Sequence, residues 1–360
     1  MKKLSIICIL SAIFSLCAPS VAYATETAPS VSAECAALYS ADTGEFLYTK
    51  NADMRHAMAS TTKIMTALIA VENCRLDETV TVDKRAVGVE GSSVYLKEGE
   101  KISMLDLLYA LLLQSANDAA AAIAYHIAKD IEPFAAMMND RAAALGAIQT
   151  RFDNPHGLDS ENHYTTARDL AIISAEALEN EIIGQIVSSK RHTIITDDGQ
   201  TTRVLINHNR LLSMYEGAIG IKTGYTKKTG RCLVSAAERD GVTFICVTLD
   251  APNDWNDHIA LLDYGYSHYT KKIALSKNEL SLNIPVLNGM SEQIKATNSD
   301  EISYLSENDS DKITLKTDVS GALVAPIKEG EAIGFVYAYI GDRLVGSSPL
   351  VATQSIEAKK

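Results

Sequence analysis

Between residues 63 and 73 the chain reads KIMTALIAVEN, with apolar side chains at Ile64, Met65, Leu68, Ile69 and Val71. That spacing predicts a helix with one buried face. Ser60-Thr61-Thr62, just ahead of it, sit where an N-cap and first turn belong. Upstream, ECAALYSADTGEFLYTKN places apolar runs on either side of Asp42-Thr43-Gly44, a strand–turn–strand pattern. Residues 103–128 predict helices buried on several faces and interrupted near Ser115-Ala116-Asn117. Two further helices, 133–145 and 166–180, flank the polar loop NPHGLDSENHYT.

After residue 217 the pattern becomes that of strands. AIGIKT, RCLVSAAE and VTFICVTLD read as strands, and a helix follows from about Asp254 to His268. Two strands, a helical block, three strands and a helix describe an α+β domain, an antiparallel sheet covered by helices. Beyond residue 272, short strands such as LSLNIPVL, DKITLKTDV and AIGFVYAYI are divided by Gly, Asn and Asp, which predicts a separate small all-β module. The expected organisation is 25–272 for the first domain, 273–354 for the second and 355–360 as a tail.

The first 24 residues change the picture of where the protein works. Lys2 and Lys3 precede the apolar run LSIICILSAIFSLCAP, and Ala22-Tyr23-Ala24 supplies a small-x-small exit. This is the pattern of a secretory signal peptide, and the run is short for a span of about 20 residues. The mature chain is expected to begin near Thr25, outside the cytoplasm. The end, IEAKK, carries no amphipathic helix, an expectation of release or of anchoring through a retained leader.

Charge narrows the partners. There are 33 Lys plus Arg against 45 Asp plus Glu, a surface that repels nucleic acid and anionic membrane. Beyond Cys8 and Cys17 in the leader, Cys35, Cys74, Cys232 and Cys246 remain. Three of these lie in apolar, strand-like runs, so buried free thiols are expected, with disulfides as the alternative in an exported chain. The cysteines and the eight histidines show no metal-ligand spacing. No metal and no cofactor is expected.

Ser60-Thr61-Thr62-Lys63 is a Ser-x-x-Lys at a helix start. Positions i and i+3 share a face, so hydroxyl and amine can meet. The serine needs a base, and a lysine serves only with its pKa lowered by burial or another cation. Ser115-Ala116-Asn117 adds a hydroxyl and an amide in a setting where unpartnered polar groups would be costly. Ser306-Glu307-Asn308 fits the same Ser-x-Asn pattern, in a loop of the β module. Lys-Thr-Gly occurs twice, at 222–224 and 228–230. The first lies on a predicted strand flanked by Gly220 and Gly224, which would let a ligand backbone approach. The second sits where a hairpin turn must go, with Lys227 and Lys228 as solvated charges.

Ser-x-x-K, Ser-x-Asn and Lys-Thr-Gly in this order resemble the penicillin-binding proteins and serine β-lactamases. The strings ADTGEFLYTKN, FDNPHGLDSENHYTTARDLA, NHNRLL, GIKTGYT and APNDWNDHIALLDYGY narrow the resemblance to the serine D-alanyl-D-alanine carboxypeptidases of peptidase family S11. The trailing β module is similar to that family's second domain. The resemblance implies a β-lactamase/DD-peptidase-like fold and an acyl-enzyme formed when Ser60 attacks the bond between the terminal D-alanines of a peptidoglycan stem pentapeptide.

It implies Lys63 as base, Ser115 as proton relay, and Asn117 as a hold on Lys63 and on the substrate amide. Lys222 would supply positive potential and Thr223 would bind the carboxylate. Gly224 would give close approach, and Tyr225 with Ser60 would lend backbone N–H groups to the oxyanion. His156 and Leu158 would border the site, and Arg210 faces either the cleft or a salt bridge. β-Lactams would be inhibitors. Some members carry an arginine shortly before the last Leu-Leu pair, where this chain has NDWNDHIALL instead. A serine β-lactamase, with Glu161 in the right general region, and a non-catalytic cell-wall-binding relative are the alternatives. The oligomeric state is not readable.

Overall fold

The computed structural model describes residues 28–195, 202–307 and 310–360. The leader at 1–24 lies outside the described residues. The first domain opens with strands β1 (Cys35–Ser40) and β2 (Phe46–Lys50), then helix α1 (Lys63–Asn73). A small ribbon, β3 (Thr79–Thr81) with β4 (Lys101–Ser103), leads into helices α2 (Met104–Leu113), α3 (Asn117–Ala128) and α4 (Ile131–Ala144). After these come α5 (Ala167–Glu179), α6 (Glu181–Ser188), the hairpin β5 (Arg191–Ile195) and β6 (Thr202–Ile206), and the short α7 (Leu211–Met214). Strands β7 (Ala218–Thr226), β8 (Gly230–Arg239) and β9 (Val242–Leu249) then lead to α8 (Asp254–His268).

The central sheet runs β2-β1-β9-β8-β7, antiparallel throughout. Its strands are apolar on both faces because both are covered. Cys35, Ala37, Cys232, Val234, Ile245 and Val247 join the core beneath the helical block. Alternate residues Leu38, Leu233, Phe244 and Cys246 pack with Leu261 and Leu262 of α8 on the other side. This period-two division is what a sheet between two layers requires.

The break between α2 and α3 is real. Ser115 adopts a left-handed φ of 59°, and Asn117 starts α3 with its backbone N–H bonded to Ser92 O at 2.7 Å. The sequence pattern missed α6 and the β5–β6 hairpin, whose Ile195, Val204 and Ile206 are exposed.

A second unit holds β10 (Thr270–Leu275), β11 (Leu282–Leu287), β12 (Gln293–Asn298), β13 (Ile302–Ser306), β14 (Ile313–Val319), β15 (Leu323–Val324), β16 (Ala332–Ile340) and β17 (Arg343–Ala352). Six strands form one sheet, β14-β16-β17-β12-β11-β15, and β10 pairs with β13. The residues after 354 are bound in: Ile356 is buried and exchanges two 2.9 Å backbone bonds with Ile327. Arg343–Glu45 at 2.6 Å and Lys271–Asp42 at 3.1 Å join the unit to the first domain.

Cys35, Cys74, Cys232 and Cys246 are all free. Burial pushes the thiol of Cys35 up to about 11 and that of Cys232 up to about 12. Among the described residues no helix is long and apolar enough to cross a membrane.

Candidate active site

Ser60 does not cap a helix. It sits in a 3-10 turn, Ala59–Thr62, that runs directly into α1, and no side chain caps either element. The preceding Ala59 has φ 48°, in the left-handed region. Thr61 and Thr62 instead turn their hydroxyls back onto Met58 O (2.6 Å) and Ala59 O (2.8 Å).

Lys63, one step further, is fully buried. Its Nζ lies 3.0 Å from Ser60 Oγ, 2.7 Å from Asn117 Oδ1 and 2.5 Å from the carbonyl of His156. Two of these partners are carbonyl oxygens that can only accept. A neutral amine has two N–H groups for them and one lone pair, which is left facing the serine hydroxyl. Burial lowers the Lys63 pKa well below the ordinary value, and the charge of Lys222 adds to it, against a smaller opposing effect of Asp118. The three-residue spacing therefore places an amine suited to act as a base on the serine.

Asn117 is buried and held by both arms, for its Nδ2 donates to Glu90 O at 2.5 Å. Its Oδ1 accepts from Lys63 Nζ, so it holds the amine in place. Asp118 secures the same loop, accepting from Ser93 Oγ (2.6 Å) and Leu96 N (3.0 Å).

The two Lys-Thr-Gly copies separate here. Thr229 of the second is buried in the β7–β8 turn, and Lys227 and Lys228 are exposed. The first copy runs past Ser60 on β7, where a Cβ on Gly224 would lie 3.1 Å from Ser60 N. Lys222 is buried behind the strand, donating to Thr223 O at 2.9 Å, and burial lowers its pKa to about 7.

A cleft of about 430 Å³ opens between these elements, lined by Ser60, Ser115, Thr223, Gly224 and Tyr225. Residues the sequence reading did not single out complete it: Ser92, His208, Arg231, Asp254 and Trp255. Arg210 lines it too, 5.9 Å from the Trp255 ring centre. Asp254, in the stretch that lacks the expected arginine, is paired with Arg231 at 2.8 Å. His258, from the same stretch, is buried between Ser235 and Thr248 and takes no part.

His156 and Leu158 sit in the loop beside Lys63. His156 contributes its carbonyl to Lys63, and its ring nitrogen Nδ1 accepts from Leu158 N–H at 3.3 Å. The loop they occupy is a brace under the nucleophile. Pro155 O accepts from Thr66 Oγ1 at 2.6 Å, and Gly157 passes so close to Ala59 O that a Cβ would lie 1.9 Å away. Glu161, the residue a β-lactamase reading would use, is exposed and does not line the cleft.

The D-alanyl-D-alanine carboxypeptidase family S11 matches residues 22–253, and the C-terminal domain of penicillin-binding protein 5 matches 269–358. The chain belongs to the D-alanyl-D-alanine carboxypeptidase family. It is 31% identical to the D-alanyl-D-alanine carboxypeptidase DacF of Bacillus subtilis, across 90% of this chain and 86% of that one. With DacC of Escherichia coli it shares 30% identity over 96% of this chain and 90% of that one. Penicillin-binding protein 5 of Haemophilus influenzae superposes with a TM-score of 0.77 at 26% identity, covering 92% of this chain and 99% of that one. The chain is thus a serine-type D-Ala-D-Ala carboxypeptidase of the penicillin-binding type, a cell-wall hydrolase with an N-terminal peptidase domain and a C-terminal all-β domain.

Proposed function

We propose that this enzyme removes the terminal D-alanine from peptidoglycan stem pentapeptides through an acyl-enzyme on Ser60. The observation that carries the assignment is the environment of Lys63: a buried amine with two carbonyl acceptors and a serine hydroxyl at 3.0 Å. Lys63 takes the Ser60 proton as the Oγ–carbon bond forms. Ser60 and Tyr225 backbone N–H groups hold the oxyanion, a contribution typically worth about 10²–10³ in rate per donor.

As the C–N bond breaks, Ser115 relays a proton to the leaving D-alanine nitrogen. Thr223, with Arg210 as the cleft cation not paired to Asp254, receives the substrate carboxylate, and Lys222 acts by its potential. Water then attacks the ester, and Ser60 recovers its proton. β-Lactams enter the same path and stay attached, because the leaving nitrogen is tethered in the ring. The leader at 1–24 and the family's cell-wall substrate support a site of action outside the cytoplasm, with the catalytic domain running from residue 25 to the end of α8 at His268, a few residues short of the expected 272 because β10 pairs with β13.

The test is mass spectrometry of the mature chain after brief exposure to benzylpenicillin. The expected result is a lasting adduct on Ser60, absent in Ser60→Ala. Destruction of the drug without an adduct would hand the site to a β-lactamase reading, and intact drug without an adduct would point to a non-catalytic relative.

A further inference from the structure

His163 plays no part in the chemistry above, yet it is 3% exposed and both its ring nitrogens are bonded. The direction of every bond around it is fixed. Asp153 N–H can only donate, so Nδ1, at 3.0 Å, accepts. The Thr62 hydroxyl has one proton, and Ala59 O, at 2.8 Å, can only accept it. Thr62 Oγ1 must therefore accept from His163 Nε2–H at 2.7 Å. The ring is neutral in the Nε2–H tautomer, consistent with burial lowering its pKa to about 4. A directed chain results: Asp153 N–H to His163, His163 to Thr62, Thr62 to Ala59 O.

The end of that chain matters because of peptide geometry. Ala59 C=O and Ser60 N–H belong to one rigid planar unit and point in opposite directions. Fixing the carbonyl from below fixes the aim of the N–H above, toward the strand where Gly224 approaches to within a methyl group's reach. The unit needs such a hold, since Ala59 lies at φ 48°, a conformation a non-glycine residue keeps only when its surroundings impose it.

We infer that His163 is a positioning residue that acts through Thr62 to orient the 59–60 peptide and aim the Ser60 N–H at the developing oxyanion. This rests on Ser60 N–H being an oxyanion donor, as proposed above. The nearby Lys63–His156 contact holds the base, and the His163 chain holds the oxyanion donor. One loop thus serves both halves of the site.

The test compares His163→Leu, His163→Gln and Thr62→Val for the second-order rate of acylation by benzylpenicillin. Thermal melts and the ester carbonyl stretch of the acyl-enzyme, read by difference infrared spectroscopy, accompany each. Glutamine can accept from Asp153 N–H and donate to Thr62, so it should restore the rate to within about threefold, while leucine and valine each slow acylation by roughly tenfold or more. The ester band should move to higher wavenumber in Leu and Val, because an oxyanion-hole bond to that carbonyl is weakened. The double variant His163→Leu/Thr62→Val should be no slower than the worse single one.

A folded leucine variant with the wild-type rate and band overturns the inference, as does a glutamine variant as slow as leucine. If leucine does not fold, the valine variant alone decides by the same two readouts. Absence of any Ser60 adduct in the wild-type enzyme would instead overturn the catalytic assignment itself, which keeps the two failures apart.

Discussion

Gly224 offers a test of the site's geometry with a single methyl group. On β7 it passes the Ser60 turn so closely that an alanine Cβ would meet Met58 O and Ser60 N at 3.1 Å and Ala59 Cβ at 3.2 Å. All three neighbours belong to a turn that cannot retreat, since Ala59 is already pressed against Gly157. Accommodation must come from a shift of a few tenths of an ångström between β7 and the turn. Overpacking of this kind costs about 1–3 kcal/mol, so Gly224→Ala should still fold, with a melting temperature lower by roughly 2–10 °C.

The same shift would separate the Ser60 and Tyr225 N–H groups, the two donors proposed for the oxyanion. Losing one outright costs about 10²–10³, so a partial loss should slow acylation by at least about tenfold. Stopped-flow acylation by a fluorescent penicillin, with a parallel melt, measures both. Gly321→Ala, whose Cβ would meet nothing within 4 Å, is the control and should change neither. A Gly224→Ala enzyme that acylates within threefold of wild type would refute the close approach of β7 to the nucleophile.

Two pH experiments follow from burial. Lys222, with its pKa lowered to about 7, is charged below that value and loses its charge above it. The kcat/KM for D-alanine release should therefore fall on the alkaline side with a midpoint near pH 7, and Lys222→Arg should move that limb upward by two units or more; an unmoved limb assigns it to another group. His156, His163 and His258 have folded pKa values depressed to about 3, 4 and 3, against an ordinary 6.5. The unfolded chain binds these three protons below pH 6.5 while the native state refuses them, so the stability present above 6.5 is lost as pH falls toward 4. The slope from this group is about 4 kcal/mol per pH unit. Urea unfolding between pH 6.5 and 5 should show it, with His258→Gln reducing it by about a third, and an unchanged slope would refute the neutral buried state of His258.

Much of this protein is written in local order. The near-continuous apolar runs CAALYS, RCLVSAAE and VTFICVTL became β1, β8 and β9, because strands covered on both faces need apolar residues at nearly every position. Ser60 and Lys63 meet because a 3-10 turn running into α1 keeps positions i and i+3 on one face. The placement of the two Lys-Thr-Gly copies was also legible, since one lies on an apolar strand and the other begins in a turn.

Tertiary structure alone decided what depends on backbone atoms and on partners far along the chain. The carbonyl of His156, 93 residues from Lys63, takes part in the site through an atom every residue has, so residue type gave no signal of it. His163 and Thr62, 101 residues apart, form a relay that only their packing reveals. Arg231 and Asp254 pair with each other in the cleft lining, leaving Arg210 as the cleft cation without that partner, a sorting of charges that composition could not show. A sequence names the groups that can react, and folding decides which hydrogen bonds aim them.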